Sequence, residues 1–209
     1  MPSDAPIGPG RPKDMAKRTA ILEAAKTLFL SLGYTNTSMD AVASAAGVSK
    51  LTVYSHFNDK QTLFDSAVLA TCQEQLPELV FELPEDVPLE QVLLGIGRGF
   101  QALISNEDTV RLTRLIIALG SQDPGFGEHF YEAGPRRVLS EMEGLLRTAD
   151  SRGLLRVDDP IRAAEHFFCM LKGAPDFRLL LGCAPALTGE EAERHVRGVV
   201  EVFLRAYGS

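Results

Sequence analysis

The sequence predicts an all-α fold, with a compact front module of three helices followed by a longer helical bundle. Apolar residues recur at helical spacing along most of the chain. The clearest run is Ile21, Leu22, Ala25, Leu28, Phe29 and Leu32. Gly, Pro and hydroxyl residues interrupt these runs where helix caps and breaks belong. No stretch alternates apolar and polar residues as a half-buried strand would.

In chain order, residues 1–14 are rich in Pro and Gly and lack periodicity, so they read as a flexible arm. A first helix is expected over Lys17–Leu32, stopped by Gly33. Thr37 and Ser38 offer N-cap hydroxyls for a short second helix that turns Val42 and Ala46 inward and ends at Gly47. Ser49 caps the next stretch, Lys50–His56, after a turn of only Gly47, Val48 and Ser49. Two short helices across a Gly-containing turn form a helix-turn-helix signature. Asn58 or Asp59 caps a fourth helix from Lys60 to about Glu82, bent at Pro77. Further helices are expected over about Leu89–Ser105, Asp108–Gly120, Phe126–Arg152, Asp159–Lys172 and Thr188–Tyr207. The domain reading is therefore an arm over 1–14, a helix-turn-helix domain over 15–60 and a ligand-binding and dimerisation domain over 61–209.

Composition narrows the function. With 45% hydrophobic and 23% charged residues, the 209-residue chain can bury a sizeable core, which excludes a disordered or fibrous protein. Its apolar runs fall far short of the ~18 residues that a membrane span needs. Residues 1–10 lack the apolar centre of a secretory signal, so a cytoplasmic location is expected. Cys72, Cys169 and Cys183 are widely spaced and form no disulfide framework. The net charge of −7 is unevenly spread: residues 1–60 carry +2 and the remainder −9. Such asymmetry suits a front end that approaches phosphates and a back end that does not.

A helix-turn-helix reads DNA because its second helix fits the major groove and presents side chains to base edges. With Val53 and Phe57 facing the core, Lys50, Leu51, Thr52, Tyr54, Ser55 and His56 project outward as a mixed polar reading head. The segments Gly33-Tyr34, Thr37-Ser38-Met39, Val42-Ala43, Ala46 to Lys50, Thr52-Val53-Tyr54 and His56-Phe57, with Lys60 and Leu63-Phe64, resemble the TetR/AcrR family of repressors without a gap over about fifty residues. The resemblance implies phosphate contacts for Thr37, Ser38, Thr52, Tyr54, His56 and Lys60, and base reading by Lys50, Leu51 and Ser55. Asp40 departs from the basic residue that many relatives carry near the DNA backbone. In the arm, Pro9 to Lys13 looks like the Gly-Arg-Pro core of minor-groove AT-hooks. Arg11 is then a groove-entering residue, or the arm is only a solubilising tail.

The likeness extends more loosely through Arg111 to Ala118, Phe130 to Pro135, Arg152 to Pro160 and Lys172-Gly173 to the AcrR-like C-terminal domain, which implies a ligand sensor and dimer platform. An effector pocket is expected among Ile104, Leu115, Ile116, Leu119, Phe130, Leu139, Met142 and Phe167, residues that would equally fill a solid core. Two apolar stripes, Ile161, Ala164, Phe167, Phe168, Leu171 and Val196, Val199, Val200, Phe203, Leu204, are read as a homodimer surface on the two C-terminal helices or as intramolecular core.

Enzyme signatures are lacking. No strand precedes Gly95-x-Gly97-x-Gly99, so it is not a dinucleotide fingerprint, and neither HExxH nor G-x-S-x-G occurs. His166 and Cys169 supply only two potential ligands, so no metal and no cofactor are expected. The sequence thus reads as a regulator that binds a palindromic operator in double-stranded DNA as a dimer and is released by a small, largely apolar effector. The alternative is an all-α small-molecule or lipid-binding protein without DNA readout.

Overall fold

The computed structural model describes residues 11–75 and 79–208. These residues divide into two compact units at Thr71/Cys72. The first contains α1 (Arg11–Asn36), α2 (Met39–Ala45), α3 (Lys50–His56) and most of α4 (Lys60–Gln75), which runs through the division. The second contains α5 (Leu89–Ser105), α6 (Glu107–Gly120), α7 (Pro124–Ala133), α8 (Pro135–Ser151), α9 (Pro160–Leu180) and α10 (Gly189–Tyr207). Among the described residues the only paired extended backbone is an isolated bridge between Leu155 and Gly208. None of the described helices is long and apolar enough to cross a membrane.

In the first unit, Ile21, Val42, Val53 and Leu63 are fully buried, with Phe57 and Phe64 nearly so. Phe29, Tyr34 and Phe64 form an aromatic triangle, with ring centroids 5.0 Å apart for Phe29–Phe64 and 5.2 Å for Tyr34–Phe64. Helix α1 breaks at Gly33, whose φ of 78° only a glycine adopts at little cost. It begins at Arg11 rather than at Lys17. The segment Arg11–Ala16 has no apolar stripe, yet Arg, Lys, Met and Ala are good helix formers, and Asp14 sits in the first turn where the helix dipole favours an acid.

In the second unit, α8 packs on α9, and α5 packs on both α9 and α10. Their core includes Leu93, Met142, Leu146, Phe167, Leu171 and Phe203. At Gly97 a Cβ would lie 2.8 Å from Val196 Cγ1, so this glycine allows α5 and α10 to approach closely. The expected Phe126–Arg152 helix is two helices. Gly134 leaves the helical range and Pro135 starts α8 at a position where a missing N–H costs no intrahelical bond. Helix α9 continues past Lys172 through a kink at Gly173 (φ 49°, ψ −157°) to Leu180. Pro175 cannot donate to the Leu171 carbonyl, and the His195 Nε2–H of α10 does so instead at 2.8 Å. The fourth helix, expected to reach Glu82, is described only to Gln75, and residues 79–84 are not helical. The expected bend at Pro77 lies outside the described residues.

The two stripes read as a dimer surface mostly face the chain's own core. Ala164, Phe167 and Leu171 are fully buried, Phe203 is 0% and Val200 1% exposed, and only Ile161 lies on the surface. The inward stripe of each C-terminal helix thus closes the chain's own core, as the intramolecular reading expects.

Candidate DNA-reading surface and effector cavity

The helix-turn-helix is built from local caps. Ser38 Oγ accepts the Ala41 N–H at 3.1 Å to start α2, and Ser49 Oγ accepts the Thr52 N–H at 3.1 Å to start α3. Between them Gly47 takes φ 66°, which turns the chain within four residues. Val53 then anchors α3 inward, and Leu51 (82% exposed), Tyr54 (41%), Lys50 and Ser55 form its outer face.

Several expected contacts are engaged otherwise. Thr37 is 1% exposed, and its hydroxyl proton has the Gly33 carbonyl at 2.8 Å and the Leu28 carbonyl at 3.2 Å as acceptors, so it is not free for a phosphate. His56 does not project outward. Its side chain is 11% exposed, and Nε2 faces Asp14 Oδ1 at 3.0 Å, close enough for an ion pair but without hydrogen-bond alignment. The Thr52 hydroxyl lies 2.8 Å from Ser49 Oγ and is half-buried. Lys60 Nζ sits 4.4 Å from the Tyr34 ring centroid and donates to the Thr35 carbonyl at 3.2 Å, which leaves further protons for a phosphate. Partial burial lowers the Lys60 pKa. The Ser38 hydroxyl is exposed and retains its own proton. Arg11 begins α1, but its side chain lies outside the described residues.

Lys50 does not stand alone on the reading face. Its ammonium holds Asp40 Oδ1 at 2.8 Å and Oδ2 at 3.0 Å, and that hydrogen bond raises the Lys50 pKa. Asp40 is thus part of the surface. Its sequence signal was an acid in the first turn of one helix and a base at the first position of the next.

The second unit encloses a cavity of about 270 Å³ between α5, α6, α7, α8 and α9. Of the residues expected to form a pocket, Ile104, Phe130 and Leu139 line it. Ile116, Leu119, Met142 and Phe167 are instead buried outside the lining, and half-buried Leu115 also falls outside it. The walls that sequence reasoning missed include Phe100, Leu112, Val138 and Phe168, with Glu165 and Lys172 on α9. Phe100 and Phe168 meet at 4.5 Å. Cys72, on α4, also lines the cavity, and burial pushes its thiol pKa up to about 11. A Cβ at Gly134 would stand 3.2 Å from Cys72 Sγ. Among the described residues, no group of three or more His, Cys, Asp or Glu side chains is placed to hold a metal ion.

Comparison with known proteins agrees with both units. Residues 21–67 match the profile for bacterial regulatory proteins of the tetR family, and residues 91–209 match that for the C-terminal domain of AefR-like transcriptional repressors. The chain belongs to the TetR family. A solved TetR-family regulator from Mesorhizobium loti MAFF303099 is 36% identical, with a TM-score of 0.86 over 94% of this chain and 99% of that one. The flavonoid-responsive regulator FrrA is 31% identical, with a TM-score of 0.80 over 92% of this chain and 97% of its own. The HTH-type transcriptional regulator YdeS of Bacillus subtilis (strain 168) is 28% identical over 195 residues, 91% of this chain and 89% of YdeS. This TetR-family member is a transcriptional regulator with DNA-binding and ligand-binding domains, and its relatives are regulators rather than enzymes. The reading as a binding protein without DNA readout falls with that membership.

Proposed function

We propose that the protein is a repressor that binds a palindromic operator as a homodimer and releases it when a small, largely apolar effector fills the cavity of its C-terminal domain. The observation that carries this reading is an apolar cavity in the same chain as an outward-facing α3. The description of the matching C-terminal profile as a repressor domain supports the sign of regulation. FrrA is described as flavonoid-responsive, which supports an effector with aromatic rings.

In this reading residues 15–60 recognise DNA and residues 61–209 sense and dimerise, while Arg11 to Asp14 belong to α1 and not to the extended arm expected over residues 1–14. Leu51 and Ser55 read bases, Lys50 does so in exchange for Asp40, and Ser38, Tyr54 and Lys60 hold phosphates. A two-fold protein meets a two-fold operator, so the two α3 helices stand about 34 to 36 Å apart. The dimer forms through the outer faces of α9 and α10, where Gly198, Val202 and Ala206 on α10 and Phe177 on α9 are exposed. An effector lowers DNA affinity only by preferring a conformation that binds DNA poorly. Cys72 belongs both to the cavity wall and to α4, so α4 is the route by which occupancy acts.

A mobility-shift assay with the promoter DNA beside the protein's own gene tests the reading. Apolar aromatic compounds release the shifted complex from the wild type. Thr113→Trp and Phe130→Trp, which fill the cavity, no longer respond. Failure to shift that DNA, or release unaltered in both variants, refutes it.

A further inference from the structure

The cavity is apolar except along one edge. Its α9 wall carries Glu165, Phe168, Cys169 and Lys172, which share one helical face over two turns. Phe168 is buried against Phe100, whereas Glu165 and Lys172 are exposed at the rim. Among the described residues neither charge forms a hydrogen bond or ion pair. Lys172 acts only through space on Asp176, one turn further along, whose carboxyl pKa is raised by burial. Seven helical residues span about 10.5 Å, so a carboxylate and an ammonium flank an aromatic floor at opposite ends of the cavity's edge.

This arrangement selects among occupants. A pure hydrocarbon that seals the rim would take the Glu165 carboxylate out of water with no partner and the Lys172 ammonium with only Asp176 one turn away, which is unfavourable. An organic cation would suit Glu165 but be repelled by Lys172. Both charges are satisfied by a molecule that presents an anionic oxygen to one and a hydroxyl donor to the other, with ring surface between them.

We propose that the effector is a hydroxylated aromatic acid: a rigid apolar body about 10 Å long, with a carboxylate or ionised phenol against Lys172 and a hydroxyl donating to Glu165. This assignment rests on the cavity being the effector site.

Suitable probes are 4′-hydroxybiphenyl-4-carboxylate, its methyl ester and the 4′-methoxy acid. Binding to the full-length protein is followed by calorimetry and by protection of Cys169 from alkylation in a Cys183→Ser background. Cys169 lines the cavity and is exposed, whereas Cys72 is buried. The hydroxy acid is expected to bind about tenfold or more tightly than the ester, as loss of a charge-assisted hydrogen bond predicts. Lys172→Met removes that preference and leaves ester binding in place. Glu165→Met, which has no oxygen acceptor, removes the preference for hydroxyl over methoxy. Both substitutions are on exposed positions, so the fold is retained. Equal binding of acid and ester by the wild type, or a preference that survives Lys172→Met, overturns the assignment and leaves the cavity reading intact. If no probe binds or protects Cys169, both the assignment and the effector cavity are refuted.

Discussion

Two neighbouring residues on α10 separate the core of the monomer from the proposed seam of the dimer. Phe203 is fully buried, 5.2 Å from the Phe167 ring and 4.7 Å from that of Tyr207, whereas Val202 is 52% exposed. Truncating a buried phenylalanine to alanine costs about 3 to 5 kcal/mol, through lost transfer energy and the cavity left behind. At about 2 to 4 °C per kcal/mol for a chain of this size, Phe203→Ala lowers the melting temperature by roughly 6 to 20 °C. Val202→Glu leaves the monomer nearly unchanged, since surface substitutions stay within about 0.5 kcal/mol, but it places two carboxylates in an apolar seam and dissociates the dimer. Sedimentation at micromolar protein reads the assembly, and melting at two protein concentrations reads the origin of any loss. A loss through dissociation varies with concentration, and a core loss does not. Phe203→Ala is expected to melt early at both concentrations and remain dimeric, and Val202→Glu to sediment as a monomer. If Phe203→Ala became monomeric without early melting, or Val202→Glu stayed dimeric, the division of α10 into inner and outer faces would be wrong.

Asp40→Asn removes the carboxylate that Lys50 gives up to reach a base, so operator binding tightens by about two- to fivefold; unchanged operator affinity in a mobility-shift titration counts against the Lys50–Asp40 restraint. Gly97→Ala destabilises the C-terminal domain because its Cβ meets the stiff Val196 side chain, whereas Gly95→Ala, with open space around it, stabilises by up to about 1 kcal/mol; denaturant midpoints moving in the same direction would contradict this. Hydrogen bonding to Arg98, with Arg197 also nearby, holds the Glu193 carboxyl down at about 2, from an ordinary 4.5. A depressed carboxylate stabilises the fold above its unfolded pKa and loses that effect as pH falls through the folded one, so the midpoint gap between wild type and Glu193→Gln is full at neutral pH and closes between about 4.5 and 2. A gap that does not shrink as pH falls from about 4.5 to 2 would refute the pairing.

Much of the fold is legible because its signals are local. Gly33, Ser38, Gly47, Ser49 and Asp159 act within a few residues of themselves, and they mark helix ends where the structure has them. The break at Gly134-Pro135 escaped because apolar periodicity continues through it, and the run of α9 beyond Gly173 because Gly and Pro together read as a stop. At the DNA-reading face, spacing alone separated Val53 from Leu51 and Tyr54. It could not show that Thr37 turns its hydroxyl to Gly33, or that His56 turns to Asp14 on another helix, since those choices depend on tertiary partners. The cavity was the least legible part. Periodicity tells which side of a helix is buried, and so it found Ile104 and Phe130. It cannot tell where buried side chains fail to meet, which is why Met142 and Phe167 belong to solid core while Glu165 and Lys172 border the opening.

The bond that His195 makes to the Leu171 carbonyl fastens α10 to the kinked part of α9. The acceptor requires only that Nε2 carry hydrogen, a condition met by the imidazolium and by the neutral ε-tautomer alike. The proline interruption in α9 is therefore closed by a side chain of the neighbouring helix, in place of the N–H that the α9 ladder lacks. What this joint cannot tolerate is a replacement without a donor, which would strand a carbonyl at the kink.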